Sequence, residues 1–262
     1  MTAARQAPLG TGFGPFTTAD EVARGIDLSG RTALVTGGAS NLGLETVRVL
    51  AAHGARVFVP ARQADAAREA LSGIAGAEVA SVDLLARLSV ERFAEVFLEG
   101  HEVLDLLILS AGVMATQLFR DADGHEGQFA TNHLGHFRLT ASLWPTSCAG
   151  GARVVALSSR GHQLRGLDLY DLDFVRRPYD RWLAYGQSKI ANVLFGVALD
   201  ARGAEQGVRA FAVHPGFILG PLARHLSREE IEGFGALSDD GAPIVDPGRD
   251  MKNTAQAAAT TV

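Results

Sequence analysis

The strongest constraint on the fold is an alternation. Short apolar, β-prone runs at residues 32–36, 56–59, 78–82, 104–109, 153–158 and 209–213 are separated by helix-period segments at about 42–52, 65–71, 88–98, 127–143 and 184–204. Each of these segments is taken as long enough to carry the chain back across a sheet and start a strand parallel to the last. The pattern therefore predicts successive βαβ units building a parallel sheet of about six strands with helices on both faces. With 262 residues, 47% of them hydrophobic, the chain has enough apolar material for one buried core. No Pro- or Ser-rich linker and no internal repeat divides it. We expect an N-terminal arm over 1–28 and a single domain over 29–262. Within that domain, the irregular stretch at about 217–253 is a candidate substrate lid.

Charge and cysteine content narrow the function classes. A net charge of -5 argues against nucleic acid or an anionic membrane as the main partner, since both require a positive field. Cys148 is alone, so no internal disulfide forms, and no Cys/His cluster has metal-site spacing; no metal is expected. The first thirty residues carry Gly10, Gly12, Gly14, Pro15, Asp20 and Glu21 instead of an apolar run, which predicts neither signal peptide nor membrane anchor and points to the cytoplasm.

After the first strand comes Thr36-Gly37-Gly38-Ala39-Ser40-Asn41-Leu42-Gly43, a glycine-rich strand-to-helix turn. In that position the backbone can approach a pyrophosphate and present it to a helix N-terminus. The expected architecture is thus α/β and Rossmann-like, a doubly wound parallel sheet. Gly37 allows the tight turn and Gly43 lets the helix pack against the sheet. The second strand runs into Val59-Pro60-Ala61-Arg62 with no Asp or Glu to hold a ribose 2′-hydroxyl. Arg62 suits a 2′-phosphate instead, so NADP(H) is preferred and NAD(H) remains possible. Asp83, in Val82-Asp83-Leu84, either accepts from an adenine amino group or caps the next turn.

Tyr185 and Lys189 are the candidates for acid/base chemistry. With three tyrosines and two lysines in 262 residues, a tyrosine followed four residues later by a lysine has a chance expectation of about 2%. On a helix this spacing stacks both side chains on one face. A nearby cation is expected to favour the phenolate and bring an ordinarily high phenol pKa toward neutrality.

The motifs Thr36-Gly37…Gly43, Ser110-Ala111-Gly112, Asn132, Ser159, Tyr185-Gly186-Gln187-Ser188-Lys189 and Pro215-Gly216 occur in the order seen in short-chain dehydrogenases/reductases, and from about residue 28 onward the chain resembles that family. Residues 131–137, 157–162 and 184–192 are similar to the branch containing retinol dehydrogenases and WW-domain oxidoreductases. The resemblance implies an oxidoreductase interconverting an alcohol and a carbonyl by hydride transfer, and a possible homodimer; Phe217, Ile218, Leu219 and Leu222 in the lid segment, with Phe234 and Leu237, suggest an apolar wall for a small-molecule substrate. Its implied catalytic residues are Tyr185 as general acid/base, Ser159 on the same substrate oxygen, Lys189 also on the nicotinamide ribose, and Asn132 anchoring a relay water. Asn132 read without the resemblance could equally be a buried amide bonded to backbone, and Ser158 or Ser159 a turn cap. The expected dinucleotide contacts are Gly37, Ser40, Asn41, Leu42, Gly43, Arg62, Asp83, Leu84, Ser110, Ala111, Gly112, Tyr185, Lys189, Pro215 and Gly216, with His214 beside them.

Four features depart from the family pattern. Asn41 replaces a small residue in the phosphate turn, where its side chain either crowds the phosphate or donates to it. Ser110 stands in a segment that usually carries two amides tying the fourth strand to its neighbours. Gly220 occupies the place of a threonine, and residues 254–262 resemble the start of the helix that precedes a seventh strand in relatives; absence of that strand would leave the sixth as an exposed edge. These departures keep open a dinucleotide-binding sensor or scaffold without turnover; an ene-reductase acting on a conjugated double bond stays open because it uses a similar hydride-and-tyrosine apparatus.

Overall fold

The computed structural model describes residues 10–164 and 166–262. Along the chain run α1 Ala19–Ala23, β1 Thr32–Thr36, α2 Asn41–Ala52, β2 Arg56–Ala61, α3 Ala64–Ala70, β3 Ala77–Ser81, α4 Arg87–Gly100 and β4 Leu106–Leu109. A helix follows in three parts: α5 Gly127–Phe129, a π-helical segment Ala130–Leu134, and α6 Gly135–Ser142. Then come α7 Trp144–Gly150, β5 Arg153–Leu157, α8 Arg181–Gly203, β6 Arg209–Val213, α9 Arg228–Gly233 and α10 Thr254–Ala258.

All strand pairs are parallel, in the order β3-β2-β1-β4-β5-β6. The chain winds outward from β1 in one direction and then in the other, so the crevice between β1 and β4 is the switch point where ligands enter such sheets. Side chains alternate across each strand. Val35, Ile108 and Val155 join one apolar cluster with Val47 and Leu50 of α2 and Ala257 and Ala258 of α10. Their neighbours Leu34, Leu107 and Val154 join the opposite cluster with Phe97 of α4, Leu139 of α6 and Leu199 of α8. Burial on both faces is why these strands read as unbroken apolar runs.

Several expectations need adjustment. The arm expected over 1–28 contains a helix: α1 is closed by a capping box in which Thr18 accepts from the Glu21 amide and the Glu21 carboxylate accepts from the Thr18 amide, and its Ala19 and Ala23 enter the core. Residues 1–9 of that arm lie outside the described residues. The helix expected over 127–143 is interrupted by the π segment and ends at Ser142, after which α7 starts with Pro145 in its first turn. Residues 217–253 are not wholly irregular, since they hold two short 3-10 turns and α9. β6 forms the sheet edge and Phe211 on it is 45% exposed. Among the described residues no helix is long and apolar enough to cross a membrane.

Candidate active site

A cleft of about 500 Å³ opens at the C-terminal ends of the strands, bounded by the β1–α2 turn, the loops after β2, β3, β4 and β5, and residues 214–224. Glycine is forced at two points of the first turn. Gly37 has φ +69°, and a Cβ on it would stand 2.9 Å from the Ala111 backbone; a Cβ on Gly43 would stand 2.2 Å from the Gly37 carbonyl oxygen. The turn can therefore hold its tight course only without these side chains. Ser40 is the N-cap of α2 in extended conformation, yet its hydroxyl makes no capping bond. The leading amides of α2, at Asn41, Leu42 and Gly43, thus face the cleft as donors without a side-chain cap, the donor set a pyrophosphate requires. On this observation the residues present fit a dinucleotide.

Thr36 organises the turn from below. Its hydroxyl accepts from the Ser110 and Ala111 amides at 2.9 and 3.0 Å and meets His136 Nε2 at 2.8 Å. The imidazole's Nδ1 is 2.9 Å from the Asn132 carbonyl oxygen, which can only accept. Nδ1 therefore carries the proton, and Nε2 accepts from Thr36. Through these bonds the Ser110 and Ala111 backbone amides and the Thr36 hydroxyl tie the end of β4 to β1. Burial lowers the His136 pKa to about 4. Sequence reasoning gave no role to His136, although its place four residues after Asn132 sets it one helical turn further along the same helix.

The other expected contacts fall around the cleft. Arg62 is exposed on the rim immediately after β2. Asp83 accepts from the Leu85 amide through Oδ1, so the turn-capping role is the one seen. Leu84, Gly112, Pro215 and Gly216 line the wall. A Cβ on Gly112 would come 3.1 Å from Asn132 Oδ1 and 3.8 Å from Lys189 Nζ. His214 turns its Nε2 to Asp250 at 3.2 Å, and Asp250 also holds Arg160 at 2.6 Å.

At the inner end lie Ser159, Tyr185 and Lys189. α8 is capped by Asp180, whose carboxylate accepts from the Trp182 and Leu183 amides. Tyr185 and Lys189 follow one turn apart, both buried, with Nζ 5.6 Å from the phenol ring centroid. Lys189 Nζ donates to the Leu157 carbonyl at 3.1 Å. Ser158 donates to the Lys189 carbonyl at 2.9 Å and so ties β5 to α8, while Ser159 accepts from the Gly161 amide at 3.1 Å and stays beside the phenol. Asn132, in the π segment, accepts from the Val113 amide and donates to the Val113 carbonyl and to Ser188. Its side chain is a buried amide bonded largely to backbone.

The electrostatics differ from expectation. Burial pushes the Tyr185 phenol up to about 12, with the Ser159 hydroxyl pulling weakly the other way. Burial likewise lowers the Lys189 ammonium to about 8. Desolvation dominates both groups, and the Lys189 ammonium spends a hydrogen bond on the Leu157 carbonyl. Beside Tyr185 stands an aromatic wall that includes Trp182, Phe234 and Phe217, with Trp182 5.7 Å and Phe217 5.8 Å from Phe234. Arg181 fastens it by pairing with Glu230 and donating to the His225 carbonyl.

A sheet wound both ways from β1, a glycine turn under an uncapped helix and a buried tyrosine–lysine pair at the strand ends define a nucleotide-dependent enzyme class. Residues 31–231 match the short chain dehydrogenase family, and the chain belongs to that family. It is an oxidoreductase, of a family that binds NAD(P) and acts on small molecules. It is 44% identical to a "Probable oxidoreductase" of Streptomyces antibioticus over 90% of this chain and 80% of that one. It is 39% identical to retinol dehydrogenase 12 of Homo sapiens, over 77% and 66% of the two chains. A crystal structure of an uncharacterised protein from Mycobacterium paratuberculosis superposes with a TM-score of 0.68 at 36% identity, covering 91% of this chain and 93% of that one.

Proposed function

We propose that the protein is an NADP(H)-dependent oxidoreductase that interconverts an apolar alcohol and its aldehyde or ketone. The observation that carries this reading is the convergence of Ser159, Tyr185 and Lys189 at the inner end of the cleft whose outer rim bears Arg62. A bound nicotinamide would supply or accept the hydride. Tyr185 would give or take the proton at the substrate oxygen, and Ser159 would hold that oxygen by a hydrogen bond. Lys189 would favour the phenolate as it forms and position the nicotinamide ribose. Asn132 would hold the loop after β4 through Val113 and would anchor the relay water. Arg62 would neutralise the 2′-phosphate, and Gly37, Ser40, Leu42 and Gly43 would cradle the pyrophosphate. Trp182, Phe217 and Phe234 support an apolar substrate, with 217–253 acting as the lid. Exposed Phe137 on α6 and Leu194 and Val197 on α8 support a homodimer.

The test is NADPH oxidation against a panel of aldehydes, ketones and quinones, with NADPH affinity followed in parallel by fluorescence. Tyr185→Phe keeps the ring and removes the proton-transferring oxygen, so turnover should fall about 10²–10⁴-fold with affinity nearly unchanged. Lys189→Ala should lose turnover and part of the affinity. Full turnover in Tyr185→Phe would refute the assignment, and binding without turnover by the unmodified protein would favour a sensor.

A further inference from the structure

We propose that the Asn41 carboxamide is a ligand of the dinucleotide pyrophosphate, oriented by Thr254 and given its space by Gly220; the inference rests on the cofactor reading above. Asn41 opens α2 with φ +45°, a left-handed conformation that asparagine tolerates better than most residues. Its Oδ1 accepts from Thr254 Oγ1 at 3.1 Å. That bond commits the amide oxygen to the first residue of α10. The Nδ2 edge is left toward Gly220, where a Cβ would stand 2.6 Å from Nδ2 and 3.1 Å from Cγ.

Gly220 has φ -161°, extended backbone that any residue adopts, so glycine is not needed there for conformation. What the position lacks is room, because Asn41 fills it. Two residues far apart in sequence are thus fitted to each other. Asn41 itself lines the cleft, next to the leading amides of α2. Among the described residues Nδ2 donates to no protein acceptor, so its hydrogens remain available to an anion drawn to those amides, while the repelling oxygen is committed to Thr254. The side chain therefore extends the donor set that the helix end begins, which favours donation over crowding.

The proposal predicts a coupled pair. Titration of the full chain with NADPH and with NADH at fixed salt should show Asn41→Gly weakening both by about 10-fold, near the lower end for a hydrogen bond to a charged group. The ratio of the two affinities should not change, because the pyrophosphate is common to both. Gly220→Ala should also weaken both by displacing the amide, yet in the Asn41→Gly background it should cost nothing further, the signature of direct coupling. Thermal unfolding checks that each variant remains folded; glycine accepts φ +45° without strain. Unchanged or tighter binding by Asn41→Gly overturns the proposal, as do additive effects in the double variant. If the unmodified protein binds neither nucleotide, the cofactor reading itself has failed, and this inference fails with it.

Discussion

Substituting Gly161 by alanine should disable the site without touching a reacting atom. Gly161 lies in the 3-10 turn Arg160–Gln163 that follows Ser159, and a Cβ added there would stand 2.8 Å from Tyr185 Cε1 and 2.9 Å from Cδ1. Non-bonded carbons settle at about 3.5–4.0 Å, so ring and turn must part by roughly 0.7–1.2 Å. Neither side yields freely. The ring is buried on α8, and the turn is pinned by the Gly161 amide on Ser159 Oγ and by Gly186, where a Cβ would come 2.9 Å from the Gly161 carbonyl. The displacement falls on the phenol or on Ser159, the two groups proposed to share the substrate oxygen. Misplacement by about 1 Å costs around 100-fold in rate, and overpacking of this kind costs about 1–3 kcal/mol of stability. Turnover on a carbonyl substrate, NADPH affinity and thermal unfolding measured together should show turnover about 100-fold lower, affinity within about twofold and a folded protein. Retention of more than half the turnover would show that the ring has slack, and would refute the claim that Gly161 sets its position.

Two further outcomes are expected. Arg62→Asp should reverse the cofactor order from NADPH to NADH in titrations at fixed salt, and equal affinities in the unmodified protein would remove the role assigned to Arg62. Because His136 is held neutral with its pKa at about 4, below the ordinary 6.5, the unfolded chain binds a proton between those values that the folded chain does not. Stability from this group is therefore full above pH 6.5 and lost on acidification toward 4, by up to about 1.36 kcal/mol per pH unit. Urea unfolding across this range should show a shallower pH slope in His136→Gln, and identical slopes would exclude the buried imidazole as the cause.

Much of the fold was legible because parallel strands buried on both faces leave apolar runs, and the crossings leave helical periodicity. The six strand positions follow from that local pattern. What stayed hidden depends on contacts distant in sequence. The arm's helix is worth its capping box only because Ala19 and Ala23 find α2 and α10 to pack on. The environment of the Asn41 side chain is not local: Thr254 and Gly220, each more than 170 positions away, surround its amide. The tyrosine–lysine pair was visible because its spacing is local.

The sign of the phenol's shift was not visible, and the reason bears on how such a pair works. Proximity on a helix face predicts a lowered phenol pKa only when the cation reaches the oxygen before desolvation dominates. In this fold the whole pair is buried, and the ammonium rests on the Leu157 carbonyl. The phenol is accordingly held neutral, raised to about 12, and the lysine is lowered to about 8. A neutral phenol is the form required to donate a proton to a carbonyl oxygen. Its loss would create a phenolate in a dry environment, where the nearby Lys189 charge is worth far more than in water. On the proposed reading, the cation stabilises the site mainly as the proton leaves and contributes little before, which is the differential stabilisation that accelerates a reaction. The burial that opposes an activated tyrosine at rest is then what gives Lys189 its leverage during proton transfer.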